Sequence, residues 1–258
     1  MDTRMNPSLG INYHSQSQQA RVITEAWIED QMYCPSCESQ NLERLKPGTR
    51  AADFRCAYCL EQYQAKSLSS PISTRIVDSS HQVMIDAIMR NQAPNLMILH
   101  YARNVWEVQD LILLPRHLLS VSAIEKRKPL SPSARRAGWL GCNIVLDRLP
   151  SAGRIFAVRR GWTIDPSVVR SEWKRFSFAK NLNYAGRTWI ADVLTCVEAI
   201  GRSAFTLDEV YQFEEELSRL HPENRNIRPK IRQQLQVLRD RGVVRFSSPG
   251  NYALRSAE

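Results

Sequence analysis

Four cysteines in two closely spaced pairs constrain this 258-residue chain more than any other feature of its sequence. Cys34 and Cys37 form the first pair, Cys56 and Cys59 form the second, and 18 residues separate the two pairs. This C-x2-C-x18-C-x2-C spacing is typical of a zinc ion held by four thiolates. Because no coordination position is then left open for water, we predict a structural zinc ion that stabilises a module over residues 34–59.

The charge of the chain indicates what it binds. A formal net charge of +9 favours a polyanionic partner, with nucleic acid as the first candidate and an anionic membrane surface as the second. The alternative is that the basic side chains are only solvated surface. No apolar run approaches the roughly 18 residues that span a membrane, and the N-terminal segment lacks the apolar core of a signal peptide. We therefore expect a cytoplasmic protein without a membrane partner, in which Cys142 and Cys196 are small, buried, reduced side chains.

The order of the periodic segments predicts an α+β fold, with helices packed on a mixed sheet. Helical spacing of apolar residues begins near Gln18, and a second helix begins after Ser79. The predicted strands of the sheet cover residues 96–101, 105–114 and 155–158. The first dozen residues are polar, so we expect them to be poorly ordered, and Pro47-Gly48 predicts a turn.

A weaker pattern overlaps the second cysteine pair and points to chemistry. The residues after this pair alternate, so Gln64 and Lys66 project from one face of a strand while Tyr63 faces the other way. Asp53 comes from the strand or turn just before the pair. The cysteine clip would therefore hold Asp53 in a fixed position relative to Gln64 and Lys66, as a divalent-metal site requires.

Glu25 lies beside the apolar stripe of the first predicted helix. Two interpretations are open for this residue. It is either a solvated helix residue, which we favour, or a carboxylate that reaches the candidate site from the first helix.

A basic loop follows the predicted strands. It includes Lys126, Arg127, Lys128, Arg135 and Arg136. The loop ends at Trp139, whose ring could stack on bases or wedge between them. The alternative is a solvated loop with Trp139 in the core, and composition alone does not distinguish the two.

The last part of the chain, residues 183–258, has the element order of a winged helix: helix, strand, helix, helix and hairpin. The third helix begins at Asn226 and is strongly basic, as expected for a helix that enters the DNA major groove. A winged helix used for protein contacts is the alternative. The candidate DNA-contacting side chains of this helix are Arg228, Lys230, Arg232, Gln233 and Gln234.

These motifs resemble a known family. The segments ARVITEAW at residues 20–27, YCPSC at 33–37, RKPLSPSARRAGWLGCNI at 127–144 and KIRQQLQVLRD at 230–240 are very similar to methyl-directed type II restriction endonucleases of the DpnI family. The resemblance extends over nearly the whole chain and begins around Ser17.

The resemblance implies a PD-(D/E)xK nuclease domain at residues 1–182 with an inserted zinc site, followed by a winged-helix domain at 183–258. It implies a monomer that cuts double-stranded DNA at GATC sites carrying N6-methyladenine, with Mg²⁺ or Mn²⁺ as the catalytic ion. The catalytic residues of the family fall on Asp53, Gln64 and Lys66. Where the family has a glutamate this chain has Gln64, whose carbonyl still binds Mg²⁺ but adds no negative charge.

Three other functions remain open. The chain could be a non-catalytic DNA-binding regulator built from the zinc module and the winged helix, or, because of Gln64, an inactive relic of a nuclease. A third and weaker hypothesis is RNA binding through the basic loop.

Overall fold

The computed structural model describes residues 1–46, 49 and 52–255, so the turn predicted at Pro47-Gly48 lies outside the described residues. The chain packs into two compact units. The first contains residues 1–76, 93–116 and 154–174, and the second contains residues 77–92, 117–153 and 175–258. The domain boundary between residues 182 and 183 stays a prediction.

Helices and strands alternate along the chain, with several short 3₁₀ helices between them. The helices are α1 Gln16–Gln31, α2 His81–Met89, α3 Pro166–Phe176, α4 Tyr184–Ala199, α5 Leu207–Tyr211, α6 Glu214–Leu220 and α7 Ile227–Asp240. The strands are β1 Glu43–Arg44, β2 Phe54–Arg55, β3 Gln62–Leu68, β4 Arg75–Ser80, β5 Asn95–Ala102, β6 Glu107–Leu114, β7 Ile124–Lys126, β8 Gly141–Val145, β9 Ile155–Arg159, β10 Trp162–Thr163, β11 Ala204–Thr206, β12 Val244–Ser248 and β13 Asn251–Leu254.

The first unit is built on a seven-stranded sheet in the order β1-β2-β3-β5-β6-β9-β10. Strands β3 and β5 are parallel, and the other neighbouring pairs are antiparallel. The sheet is therefore mixed, as the sequence predicts. Strand β5 is central and largely buried, which is why its sequence is a nearly continuous apolar run.

One face of this sheet carries the core of the first unit. Helices α1 and α3 contribute Trp27 and Trp173 to it, and these residues pack in the same cluster as Tyr63 of β3. The N-terminal segment is part of this structure, so the expectation of disorder was wrong. Met5 is buried and donates its backbone N–H to Trp106 O at 2.8 Å, which ties the segment to the sheet.

The second unit contains two three-stranded sheets. One has the order β4-β8-β7, and Cys142 of β8 is fully buried within the unit, as predicted. The other, β11-β13-β12, forms the wing beside helices α4 to α7. A capping box between Thr206 and Glu209 starts α5, because each residue accepts a hydrogen bond from the backbone of the other.

The second helix of the winged region differs from its predicted form. Residues 207–220 form two short helices, α5 and α6, instead of one continuous helix. The break at Gln212 and Phe213 lets the Phe213 ring pack against the core of the unit. None of the helices in the described part of the chain has the length and apolar character of a bilayer-crossing helix.

Candidate functional site

The four predicted metal ligands converge on one point. The sulfur atoms of Cys34, Cys37, Cys56 and Cys59 all lie within 4.8 Å of one another. Two of the sulfur pairs, Cys34–Cys59 and Cys37–Cys56, are 3.6 Å apart, which is too long for a disulfide bond. Tetrahedral coordination with Zn–S bonds of about 2.3 Å places sulfur atoms about 3.8 Å apart. The cluster could therefore bind zinc.

The second cysteine pair lies in the turn of the β2–β3 hairpin. Cys56 donates its N–H to Glu61 O at 2.9 Å, and Leu60 donates its N–H back to Cys56 O at 3.0 Å. Leu60 completes the turn with a φ of 62°, in the left-handed region. Asp53 directly precedes β2, and Gln64 and Lys66 lie on β3. Because the turn links these two strands, the cysteine module holds the three residues near one another.

Two residues that the sequence did not identify support the module. Arg170 of α3 donates to the carbonyl oxygens of Cys34 at 3.1 Å and Ser39 at 3.0 Å. The Tyr63 hydroxyl lies 3.2 Å from Cys34 Sγ, where it can donate to a thiolate. Arg170 is far from the cysteines in sequence, so no local pattern could reveal it. Strand alternation predicts that Tyr63 points inward, but not its sulfur partner.

Asp53, Gln64 and Lys66 are brought together beside β3. Asp53 donates its N–H to Tyr63 O at 2.9 Å and accepts the Ala65 N–H on Oδ2 at 2.9 Å. These two bonds fix the aspartate against the strand that carries Gln64 and Lys66. Lys66 lies close enough for its positive charge to act on Asp53.

The electrostatics of this cluster suit a cation. Burial raises the pKa of Asp53 above its usual range, and the negative charge of Glu25 adds to the increase. The Ala65 hydrogen bond and the Lys66 and Arg21 charges act in the opposite direction. A divalent ion close to the carboxylate would favour its charged form.

Gln64 carries a buried polar atom whose hydrogen-bonding capacity is unused within the described residues. Its side chain is 9% exposed, and Oε1 has no hydrogen-bond partner within the described parts of the chain. A buried amide oxygen without a partner costs about 1–3 kcal/mol. Mg²⁺ binds oxygen ligands and would give this amide oxygen a partner, so the side chains present fit such an ion.

Glu25 is not the solvated residue that we favoured from the sequence. Its side chain is buried, and its carboxylate pairs with Arg21 at 2.6 Å and with Arg44. Its charge also reaches Asp53. Helical periodicity placed Glu25 beside the apolar stripe but could not reveal these partners, because Arg44 comes from a strand outside the helix.

The basic loop of the second unit is largely exposed. Lys126, Arg127, Arg135 and Arg136 are all exposed, whereas Trp139 is half-buried. The Arg136 guanidinium lies over the Trp139 ring at 5.1 Å from its centroid. Neither sequence interpretation holds fully for Trp139, because its ring is neither free nor part of the apolar core.

Gly141 determines the position of the Trp139 ring. A methyl group added at Gly141 would lie 2.7 Å from the indole, closer than atoms can pack. We expect Gly141→Ala to displace the ring and, because the ring is a candidate base contact, to weaken binding of double-stranded DNA several-fold. Gel retardation of a DNA duplex measures this effect, with Gln18→Ala, at an exposed position of α1, as the control. Unchanged binding would show that the Trp139 ring does not contact the duplex.

The third helix of the winged region, α7, has an exposed basic face. Arg228, Arg232 and Gln233 are exposed, and Lys230 is half-buried with its Nζ 2.8 Å from Gln233 Oε1. Arg228 pairs with Glu214 at 2.7 Å.

Gln234 departs from its predicted role as a DNA contact. It is only 5% exposed and lies on the face of α7 that carries the core residues Ile231, Leu235 and Leu238. Its position three residues after Ile231 explains this burial. We therefore omit Gln234 from the proposed contacts.

A mixed α+β unit with a four-cysteine module, together with a basic winged helix, is typical of DNA-binding proteins of the helix-turn-helix class. Residues 1–182 match the family model described as DpnI, Dam-replacing family, and residues 185–254 match DpnI_C, Dam-replacing HTH domain. The chain therefore belongs to the DpnI family, which confirms the resemblance seen in its motifs. Membership supports a methyl-directed restriction enzyme, which is a nuclease, and the helix-turn-helix domain supports DNA binding.

Proposed function

We propose that the chain is a metal-dependent type II endonuclease that cleaves double-stranded DNA at GATC sites carrying N6-methyladenine. Residues 1–182 would form a PD-(D/E)xK nuclease domain, residues 183–258 a winged-helix DNA-binding domain, and the active protein would be a monomer. The observation that carries this proposal is the buried, unpartnered Oε1 of Gln64, which lies on the strand to which Asp53 is hydrogen-bonded.

The reaction assigns a role to each side chain of the cluster. Asp53 and Gln64 would hold Mg²⁺ or Mn²⁺, which lowers the pKa of a bound water and stabilises charge on the scissile phosphate. Lys66 would orient the attacking water and neutralise charge that develops on the phosphate oxygens. Tyr63 and Ala65 keep Asp53 in position through their backbone bonds. Zinc in the cysteine module has a structural role because its four thiolates leave no open position.

Methyl recognition requires more than one contact. Burying one methyl group contributes about 0.8 kcal/mol, or roughly a fourfold preference. A palindromic site carries two methyl groups in the major groove, where both Trp139 and the basic face of α7 could contact them. Phosphate contacts from Lys126, Arg127, Arg135 and Arg136 would position the duplex without reading its sequence.

A non-catalytic DNA-binding protein is the second candidate function, and the neutral side chain of Gln64 favours it. Incubation of purified protein with a methylated duplex, with Mg²⁺ or with EDTA, distinguishes the two. The proposed nuclease cuts the duplex only when the metal is present. A protein that retards the duplex on a gel but leaves it intact under both conditions would be the DNA-binding relic.

A further inference from the structure

The proposed metal site is short of negative charge. Gln64 offers an amide oxygen that contributes no charge, and the sequence pattern assigns a single carboxylate, Asp53. Proteins usually hold Mg²⁺ through one or two carboxylates together with substrate phosphates. The phosphates of bound DNA would add negative charge to the site. Before DNA binds, a site with one carboxylate and one amide would therefore hold its ion weakly.

Glu25 is a buried carboxylate on α1, the helix that packs against β1 and β3. Glu25 of α1 pairs with Arg44 of β1, and the residue after Arg44 donates its backbone N–H to Asp53 O at 2.8 Å. The neighbour of Glu25 on α1, Thr24, accepts the Ser67 hydroxyl proton at 2.9 Å, and Ser67 directly follows the lysine of the cluster. Contacts to β1 and β3 thus hold Glu25 beside the strands that carry the site.

Glu25 lies close enough to Asp53 for the two negative charges to interact. A carboxylate has about four lone-pair positions, and the two arginines of Glu25 donate to one oxygen each. Glu25 therefore keeps lone pairs with which it can bind a cation.

We infer that Glu25 is a metal ligand of the proposed nuclease site and supplies the negative charge that Gln64 lacks. This inference rests on the proposed function, and it adds a residue of α1 to a site otherwise built from β3 and the segment before β2. One ion bound by Asp53, Gln64 and Glu25 would explain both the burial of the Glu25 carboxylate and the unpartnered Gln64 oxygen.

Mn²⁺ binding without DNA tests this role directly, because no turnover is involved. We expect Glu25→Gln to weaken Mn²⁺ affinity of the full-length protein by roughly tenfold or more, as measured by electron paramagnetic resonance. Gln64→Glu in the Glu25→Gln background should recover most of the lost affinity, since it restores one carboxylate to the site. Glu29→Gln, at an exposed position one turn further along α1, is the matched control and should leave the affinity unchanged.

Each other outcome has a distinct meaning. If folded Glu25→Gln binds Mn²⁺ like the wild type, or if Gln64→Glu recovers none of the affinity, Glu25 is only an ion-pair partner and the inference is wrong. If Glu25→Gln fails to fold, Glu25→Asp provides the test, because it keeps the negative charge and draws the carboxylate back by one methylene group. That variant should bind Mn²⁺ several-fold more weakly, and unchanged binding would contradict the inference. A wild-type protein that neither binds Mn²⁺ nor cuts methylated DNA would instead refute the proposed function.

Discussion

Asp53→Asn is expected to reduce cleavage of methylated DNA by at least about a thousandfold while DNA binding persists, because losing a metal-binding carboxylate removes about 4 kcal/mol of transition-state stabilisation. Asparagine keeps the size of the side chain and can still accept the Ala65 N–H on its carbonyl oxygen. Burial of a charged carboxylate is unfavourable, as the raised pKa of Asp53 indicates, so the variant should fold at least as stably as the wild type.

Single-turnover cleavage and gel retardation on the same methylated duplex measure the two halves of this prediction. Asp30→Asn, at an exposed position on α1, is the control for loss of one carboxylate and should cut at the wild-type rate. Cleavage by Asp53→Asn within tenfold of the wild type would show that the metal site lies elsewhere. Loss of binding together with cleavage would mean that Asp53 contributes to DNA affinity instead of the chemical step.

The second large effect is expected from loss of the cysteine module. Cys56→Ser should release zinc, unfold the first unit and abolish cleavage, because zinc binding contributes about 10–16 kcal/mol in small structural sites, as much as a whole domain's stability of about 5–15 kcal/mol. The hairpin turn at Cys56 connects the strands around Asp53 and Gln64, so the site cannot persist when the turn is released.

Zinc content and thermal unfolding measure this effect on the full-length protein. The wild type should hold zinc through four thiolates, as should Cys196→Ala, which removes a buried thiol outside the cluster. Cys56→Ser should lose both the ion and the unfolding transition of the first unit. A Cys56→Ser protein that melts and cuts like the wild type would contradict a structural role for the module.

Local rules were sufficient for the parts of the fold that depend on short-range spacing. The cysteine spacing predicted the clip that links β2 to β3. Period-two alternation predicted that Tyr63 is an inward-facing residue of β3. Apolar periodicity likewise identified α1. These features follow from the sequence because a turn, a strand or a helix is determined by residues close together in the chain.

Long-range contacts explain two of the misses, Glu25 and the N-terminal segment, whereas the burial of Gln234 follows from local helix spacing. Glu25 was predicted to be solvated because it lies beside the apolar stripe of its helix. Helix periodicity carries no information about Arg44, the partner that β1 supplies. Gln234 was chosen for its polar side chain, yet its position relative to Ile231 turns it into the core. The N-terminal segment looked disordered from its polarity, but Met5 bonds to Trp106, about a hundred residues later.

Parallel digestion of methylated and unmethylated plasmid most directly tests the central claim of a methyl-directed, metal-dependent nuclease. The same plasmid, with and without N6-methyladenine at its GATC sites, is incubated with purified protein and Mg²⁺, and then with Mn²⁺. The proposed function predicts discrete fragments from the methylated plasmid with at least one of the two ions, and none from the unmethylated plasmid. Two intact plasmids with both ions, or equal cutting of both, would contradict it.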